Sequence, residues 1–292
     1  MIVGKKSINQ KKKHQNKRKM MKKIMAGGMF LLLVLLIVCI VMTRAPGKSQ
    51  KQEAQEALKT EMHTEENKTV DEQTRKEEEL QKVREQAEQA GYPESIIKLL
   101  DKNEETLTFV KDYEKKKDLP PADKIADSIE KGTIPHLLQW DERWGYQPYG
   151  GGTIATDGCG PTCMAMVIAG LTGDVSVTPY VTAKFGEENG YVDAENGTYW
   201  EFMMQASRPW GVNVIESPPD ETLIQQELAQ GHPIICNVMP GDFTQVGHYI
   251  VLTGYQDGIV TVNDPFSIKN TEKTWVYKDI EDQIRGIWIY SL

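Results

Sequence analysis

Cys159 is the side chain in this sequence best placed for nucleophilic chemistry. It lies in Asp157-Gly158-Cys159-Gly160-Pro161-Thr162-Cys163-Met164-Ala165-Met166-Val167-Ile168. Gly158 and Gly160 are expected to permit a tight turn. Pro161 lacks an N–H and sits where a helix can begin without losing a bond. The apolar run then continues to Leu171, with Gly173 as its stop. Cys159 is thereby expected at a helix N-terminus, where unpaired N–H groups and the positive end of the macrodipole favour thiolate over thiol. The same N–H groups can stabilise an oxyanion formed beside the sulfur. A lone cysteine is more often a small buried hydrophobe. The flanking glycines, the proline and the apolar helix behind Cys159 argue for the nucleophile.

A thiol nucleophile needs a base. His248 begins the strand-like run His248-Tyr-Ile-Val-Leu-Thr-Gly-Tyr255, and Ile259-Val-Thr-Val-Asn-Asp264 follows after a turn region holding Asp257 and Gly258. Two hairpin registers are open. A five-residue loop pairing Thr253 with Ile259 puts His248 directly opposite Asp264, on the same face, with Cβ atoms about 5 Å apart. A carboxylate there can fix the imidazole tautomer and stabilise the imidazolium. A two-residue turn at Asp257-Gly258 instead pairs Asp264 with Val251 and sends it to the wrong face. Of the other histidines in the C-terminal half, His136 has no visible partner arrangement, and His232, in a Gly-His-Pro turn, reads as structural.

Around these residues the element order is helices first and strands later. Helices are expected over 179–189, ending at Gly190, over 199–208, opened by a capping box of Thr198 and Glu201, and from an Asp220 cap through Ala229. Strands are expected over 211–216 and 233–238. Cys236, inside the latter, and Cys163, one turn beyond Cys159, read as core. With Cys39 in an apolar run, three cysteines remain in the C-terminal half. Three is odd, and the spacing suggests no disulfide framework.

The rest of the chain reads as delivery of this domain. Residues 1–23 hold ten Lys/Arg and no acidic residue, and 24–42 is a run of 19 residues without a charge. About 20 apolar residues cross a bilayer core, so 24–43 is expected to be a transmembrane helix. The basic tail would stay in the cytoplasm and everything after Arg44 would lie outside. A cleaved signal peptide fits less well, because Thr43-Arg44-Ala45 is a poor cleavage site and Pro46 follows at once. Residues 44–91 are dominated by Glu, Lys, Gln and Thr and read as a partly helical charged spacer. Order is expected to return over 92–133 as a helical extension. Ile96, Ile97, Leu99 and Leu100 form one apolar face, Leu107 to Tyr113 a second helix, and Ile125 to Ile129 a third. No chemistry is visible in this extension. From Thr133 onward seven Lys/Arg stand against twenty Asp/Glu. That balance argues against a nucleic-acid partner.

The combination of Gly158-Cys159-Gly160-Pro161-Thr162, Gly-His248-Tyr-Ile-Val-Leu on a strand and Val-Asn-Asp264-Pro265 after a hairpin resembles the C39-like cysteine peptidases. These are papain-like relatives of the bacteriocin-processing, double-glycine leader peptidases. The likeness runs from about Gln139 to Ile289 and includes Gln139-Trp-Asp-Glu-Arg-Trp144. It implies an α+β, papain-like fold over 134–292, with N-terminal helices packed on an antiparallel sheet. It implies a triad of Cys159, His248 and Asp264, and a glutamine completing the oxyanion hole. No glutamine lies just before Cys159; Gln139 and Gln147 are the candidates, both separated from it by a glycine-rich insertion, and Gln139 is favoured. No cofactor is expected. The family's transporter-linked members carry an ATP-driven export module, of which this sequence shows no sign.

The expected activity is hydrolysis of a peptide or amide bond outside a membrane, on a peptide, a protein or cell-wall peptide. Topology and resemblance together suggest a Gram-positive surface. A non-catalytic peptide- or wall-binding module on a membrane stalk is the alternative from another class. A metal site of Cys159, Cys163 and His248 is disfavoured for want of a fourth ligand.

Overall fold

The computed structural model describes residues 72–195 and 197–292. The basic tail over 1–23, the apolar run over 24–43 and the spacer as far as residue 71 lie outside them. Among the described residues no helix is long and apolar enough to cross a membrane.

Runs rich in β-branched residues build one sheet. Its strands are β1 (Asn213–Ser217), β2 (Ile234–Val238), β3 (His248–Gln256), β4 (Ile259–Asn263), β5 (Trp275–Val276) and β6 (Ile284–Ser291). They pair antiparallel throughout in the order β1-β6-β2-β3-β4-β5. β3 is buried without interruption from His248 to Leu252, because both faces of the sheet are covered. Tyr249 and Val251 join a core with Met164, Val167 and Ile168 of the helix Cys159–Thr172. Ile250 and Leu252 join a second core with Ile224 and Leu228 of the helix Glu221–Ala229. Sequence analysis assigned nothing beyond Asp264, yet β6 lies in the middle of the sheet between β1 and β2.

The helix Cys159–Thr172 is buried from Gly160 to Leu171, hydrophobic all round as a central helix must be. Gly173 ends it at φ 79°, a left-handed conformation that glycine adopts without Cβ strain. Thr178 and Asp220 cap the next long helices, Pro179–Glu188 and Glu221–Ala229, by accepting from Val181 N and Leu223 N.

Two expectations fail. Residues 125–129 are not helical. Ile125 is tied instead to distant partners, its N–H donating to Val175 O at 2.9 Å and its carbonyl accepting from Arg143 Nη1 at 2.5 Å. The helix after Thr198 is shorter than expected, Trp200–Gln205, and has Tyr199 at its cap without a side-chain cap bond. The Thr198 hydroxyl is turned instead to the buried Tyr149 hydroxyl at 2.8 Å, so burial and a tertiary partner override the local capping motif.

The N-terminal extension forms as short helices, Glu94–Ile97, Leu99–Lys102, Leu107–Lys111 and Tyr113–Lys116, preceded by a helix over 72–89. Ile96, Leu99, Phe109 and Val110 make a third core together with Val83 and Ala87, so the end of the segment read as spacer is packed. Tyr146 and Ala155, from the run ahead of Cys159, complete that core. The Phe109 and Tyr146 rings stack at 4.1 Å, and the Tyr146 hydroxyl donates to Phe109 O at 2.9 Å.

Candidate active site

Cys159 is the first residue of its helix, with Gly158 at the cap position, as the local sequence dictates. The glycines serve packing rather than an unusual backbone. A Cβ at Gly158 would stand 2.5 Å from Ile154 O, and one at Gly160 would stand 2.8 Å from the Thr198 side chain. Cys159 is half-buried, whereas Cys163 and Cys236 are fully enclosed. Burial pushes both of those thiols well up, away from the reactive thiolate form.

His248 opens β3 and is buried, with 8 % of its surface exposed. Its Nε2 lies 2.8 Å from Asp264 Oδ1. A carboxylate oxygen accepts, so Nε2 carries the hydrogen and Nδ1 is the nitrogen left for the sulfur. The Cys159 sulfur is the other group that acts on the ring. Burial pulls the imidazole's pKa down, but the Asp264 carboxylate and the Cys159 sulfur outweigh it and push it up, to about 10.

The register joining His248 to Asp264 is neither of the two considered from sequence. The turn is the two-residue Asp257-Gly258, with φ 51° and 79°, pairing Gln256 with Ile259. The five-residue loop with Thr253 opposite Ile259 is therefore overturned. The register then shifts between Leu252 and Gly254, so Val251 pairs with Asn263. Thr253 is the extra residue of a β-bulge. One step further, Asp264 is level with Ile250, two residues from His248 and of the same parity. The carboxylate thus reaches the ring diagonally across the hairpin, over a span of about 7–8 Å between such backbone positions.

Asp264 is fully buried and its carboxylate is saturated. Oδ1 accepts from His248 Nε2 and from Phe266 N at 2.9 Å, and Oδ2 accepts from Asn270 Nδ2 at 2.7 Å. Burial raises its pKa, but the His248 imidazole and these hydrogen bonds prevail and hold it below the ordinary carboxyl value. The backbone of Asp264 is fixed as well. Its N–H donates to Thr271 Oγ1 at 2.9 Å, and its carbonyl accepts from His136 Nε2 at 2.7 Å.

Sequence reasoning missed His136, Asn270 and Thr271. The last two sit on the helix Ile268–Glu272, whose Ser267 cap accepting from Asn270 N at 3.1 Å was a readable start signal. His136 gave no signal, because its partner is a backbone carbonyl 128 residues away. His232 is structural as read, its Nδ1 bound to Glu227 at 2.7 Å.

Gln139 is buried, with Nε2 donating to Ala155 O at 2.7 Å and its backbone N–H to Pro265 O at 2.8 Å. It therefore ties the turn ahead of Cys159 to the residue after Asp264. Its Oε1 is buried without a partner among the described residues. The other candidate, Gln147, donates its amide to Leu119 O at 2.9 Å. Among the described residues no group of three or more His, Cys, Asp or Glu is gathered to hold a metal ion.

Comparison with known proteins bears on this arrangement. No curated protein matches the chain. Among solved structures, the peptidase domain of Streptococcus ComA, a bifunctional ABC transporter in a quorum-sensing pathway, is 21% identical with a TM-score of 0.37, over 47% of this chain and 92% of that one. A C39-like peptidase described from Bacillus anthracis is 15% identical with a TM-score of 0.37, over 56% and 98%. A double-glycine-motif protease from an AMS/PCAT transporter, solved with its leader peptide, is 13% identical with a TM-score of 0.32, over 55% and 92%. Similarities of that size carry no argument by themselves. The sequence model of the Peptidase_C39 like family, however, matches residues 131–291, more than half of the chain, and the chain belongs to that family.

Proposed function

We propose that this protein is a cysteine hydrolase of peptide or amide bonds, anchored in a membrane with its catalytic domain outside. The single observation that supports the chemistry best is the buried His248–Asp264 pair at 2.8 Å, with the Cys159 sulfur acting on the same ring. Membership of a peptidase family supports the bond type.

In this reading Cys159 Sγ attacks the carbonyl carbon of the substrate, forming a C–S bond and an oxyanion. His248 Nδ1 holds the thiol's proton and delivers it to the leaving amine as the C–N bond breaks. Water, deprotonated by the same nitrogen, then hydrolyses the thioester and returns the sulfur. Asp264 keeps the Nε2–H tautomer and stabilises the imidazolium. The oxyanion is received by the free N–H groups at the start of the helix Cys159–Thr172. Gln139 is the proposed side-chain donor, through the second Nε2 hydrogen beside the one given to Ala155.

The layout is a cytoplasmic tail over 1–23, a membrane helix over 24–43, a spacer from 44 that ends where the helix over 72–89 packs on the extension, a helical extension to 133 and the hydrolase domain over 134–292. The substrate would be an external peptide or protein, with cell-wall peptide a fitting class.

A thiol-reactive probe applied to the full chain near pH 5.5, with the labelled peptides mapped, tests the chemistry. Cys159 is expected to react, His248→Ala to abolish that reaction, and cleavage of peptide or wall-fragment libraries to vanish in Cys159→Ala. An unreactive Cys159 and no cleavage would leave a peptide-binding module as the better reading.

A further inference from the structure

The loop that holds Asp264 is fastened in part from outside residues 131–291, the region matched by the family. Phe266 O accepts from Asn103 Nδ2 at 2.5 Å and from Trp140 Nε1 at 2.9 Å. The Glu105 carboxylate accepts from Ile268 N (Oε2, 2.9 Å) and Lys269 N (Oε1, 3.0 Å). Asn103 Nδ2 also donates to Glu105 Oε2 at 2.9 Å, and Glu104 forms an ion pair with Lys269. Asn103, Glu104 and Glu105 belong to the N-terminal extension, in which sequence analysis saw no chemistry.

The two N–H groups taken by Glu105 are the first donors of the helix Ile268–Glu272, which no intrahelical carbonyl can satisfy. This helix has five residues and no buried side chain. Neither helix cooperativity nor a core contact fixes its place. Yet its Asn270 and Thr271 make the bonds that orient the Asp264 carboxylate and backbone. Its start is held by Glu105 and, through Phe266, by Asn103, and its end by Asp264, by His136 at Thr271 Oγ1 (3.1 Å) and by Trp275 Nε1 donating to Asn270 O at 2.7 Å. A carboxylate suits the first task, because charge-assisted bonds to N–H groups at a helix start are the strong kind.

We infer that the extension is part of the hydrolytic apparatus, and that Glu105 and Asn103 are positioning residues acting through Asn270 and Thr271 on Asp264, and thence on His248. The inference rests on the proposed thiol mechanism and deepens it. The extension is itself tied to residues 76–89, through ion pairs of Glu104 with Lys76 at 3.0 Å and of Lys111 with Glu79 at 3.2 Å, and through Val83 and Ala87 in its core. The chain segment on the N-terminal side of the domain is thus joined by continuous contacts to the aspartate of the triad.

The test compares Glu105→Ala, Glu105→Gln and Arg84→Ala in the full chain. The readouts are the Cys159 alkylation rate from pH 4 to 9 and, on a cleaved peptide, kcat and KM separately, with thermal melting beside them. Glu105→Ala is expected to lower acid-side alkylation and kcat by about tenfold, the scale of a slightly misplaced catalytic group, with KM little changed. Glu105→Gln, which keeps one acceptor oxygen and the volume, is expected to fall between, and it decides the matter if the alanine variant melts early. Arg84→Ala, which removes an exposed contact to Asp101 without touching the loop, is expected to behave as wild type. A wild-type profile and kcat in both Glu105 variants would overturn the inference while leaving the mechanism standing. A wild-type protein with no His248-dependent alkylation at all would overturn both.

Discussion

Replacing Asp264 by asparagine removes a charge from the site with little change of shape. The substituted carbonyl can keep facing His248 Nε2 and Phe266 N, where Oδ1 now accepts at 2.8 and 2.9 Å. The new amino group then faces Asn270, whose amide can turn over and accept where it now donates at 2.7 Å. What is lost is the attraction between carboxylate and imidazolium. With charge centres about 4 Å apart, that attraction is about 4 kcal/mol at an effective dielectric of about 20. This corresponds to about three pKa units on the imidazole, which with the Cys159 sulfur opposes burial in a ring held at about 10. Asp264→Asn is therefore expected to weaken the imidazole's hold on the thiol's proton by about three pKa units, so that the Cys159–His248 pair shifts from thiolate and imidazolium toward thiol and neutral imidazole. The assay is the rate of Cys159 alkylation by iodoacetamide across pH 4 to 9, resolved by peptide mapping. The buried Cys163 and Cys236 serve as internal unreactive references. The variant is expected to lose on the order of 100-fold of the rate near pH 5.5 and to recover reactivity only toward about pH 8.5, where ordinary thiols ionise. If Asp264→Asn keeps the wild-type acid-side rate while His248→Ala loses it, the carboxylate contributes geometry but no charge, and the electrostatic argument is refuted.

Three further outcomes follow from the same geometry. Deleting Thr253 removes the bulge yet leaves Val251 opposite Asn263 and Asp264 level with Ile250, so the diagonal contact with His248 and hydrolysis are expected to survive, with far-UV circular dichroism still reporting the sheet. A variant that keeps the sheet but loses hydrolysis would show that the bulge does more than set the register. Gly160→Ala sets a methyl 2.8 Å from the Thr198 side chain; overpacking of this kind costs about 1–3 kcal/mol, read as a lower melting temperature together with a lower kcat. The Asp264 carboxyl is held below its ordinary value when folded, so its stabilisation is present above about pH 4 and lost as pH falls through that lowered value. His248 is raised when folded, so its share is complete below about pH 6.5 and drains away as pH climbs toward 10. Melting temperature is accordingly expected to plateau between those limits and fall on both sides, with both limbs flattened in Asp264→Asn; unchanged limbs in that variant would contradict the linkage.

What this sequence determined by itself is what neighbours along the chain decide. Gly158, Pro161 and the apolar run behind them fix a helix that starts at Cys159, because caps and intrahelical bonds span only a few residues. Asp220 capping Glu221–Ala229, Thr178 capping Pro179–Glu188 and the strand His248–Gln256 are local in the same sense. The tertiary structure decided where distant groups meet. Thr253 was readable as a strand residue but not as a bulge, since an extra residue is defined only against its partner strand; that one residue turned a register with Asp264 on the wrong face into a diagonal contact with His248. Thr198 read as a helix cap, and the buried hydroxyl of Tyr149 claimed it instead. The contacts that lock Asp264, from His136, Asn270 and, through the loop, Glu105, bridge up to 164 residues of chain and end on backbone atoms as often as on side chains. Every residue offers such backbone groups alike, so no residue type in the sequence marks which of them will be bound.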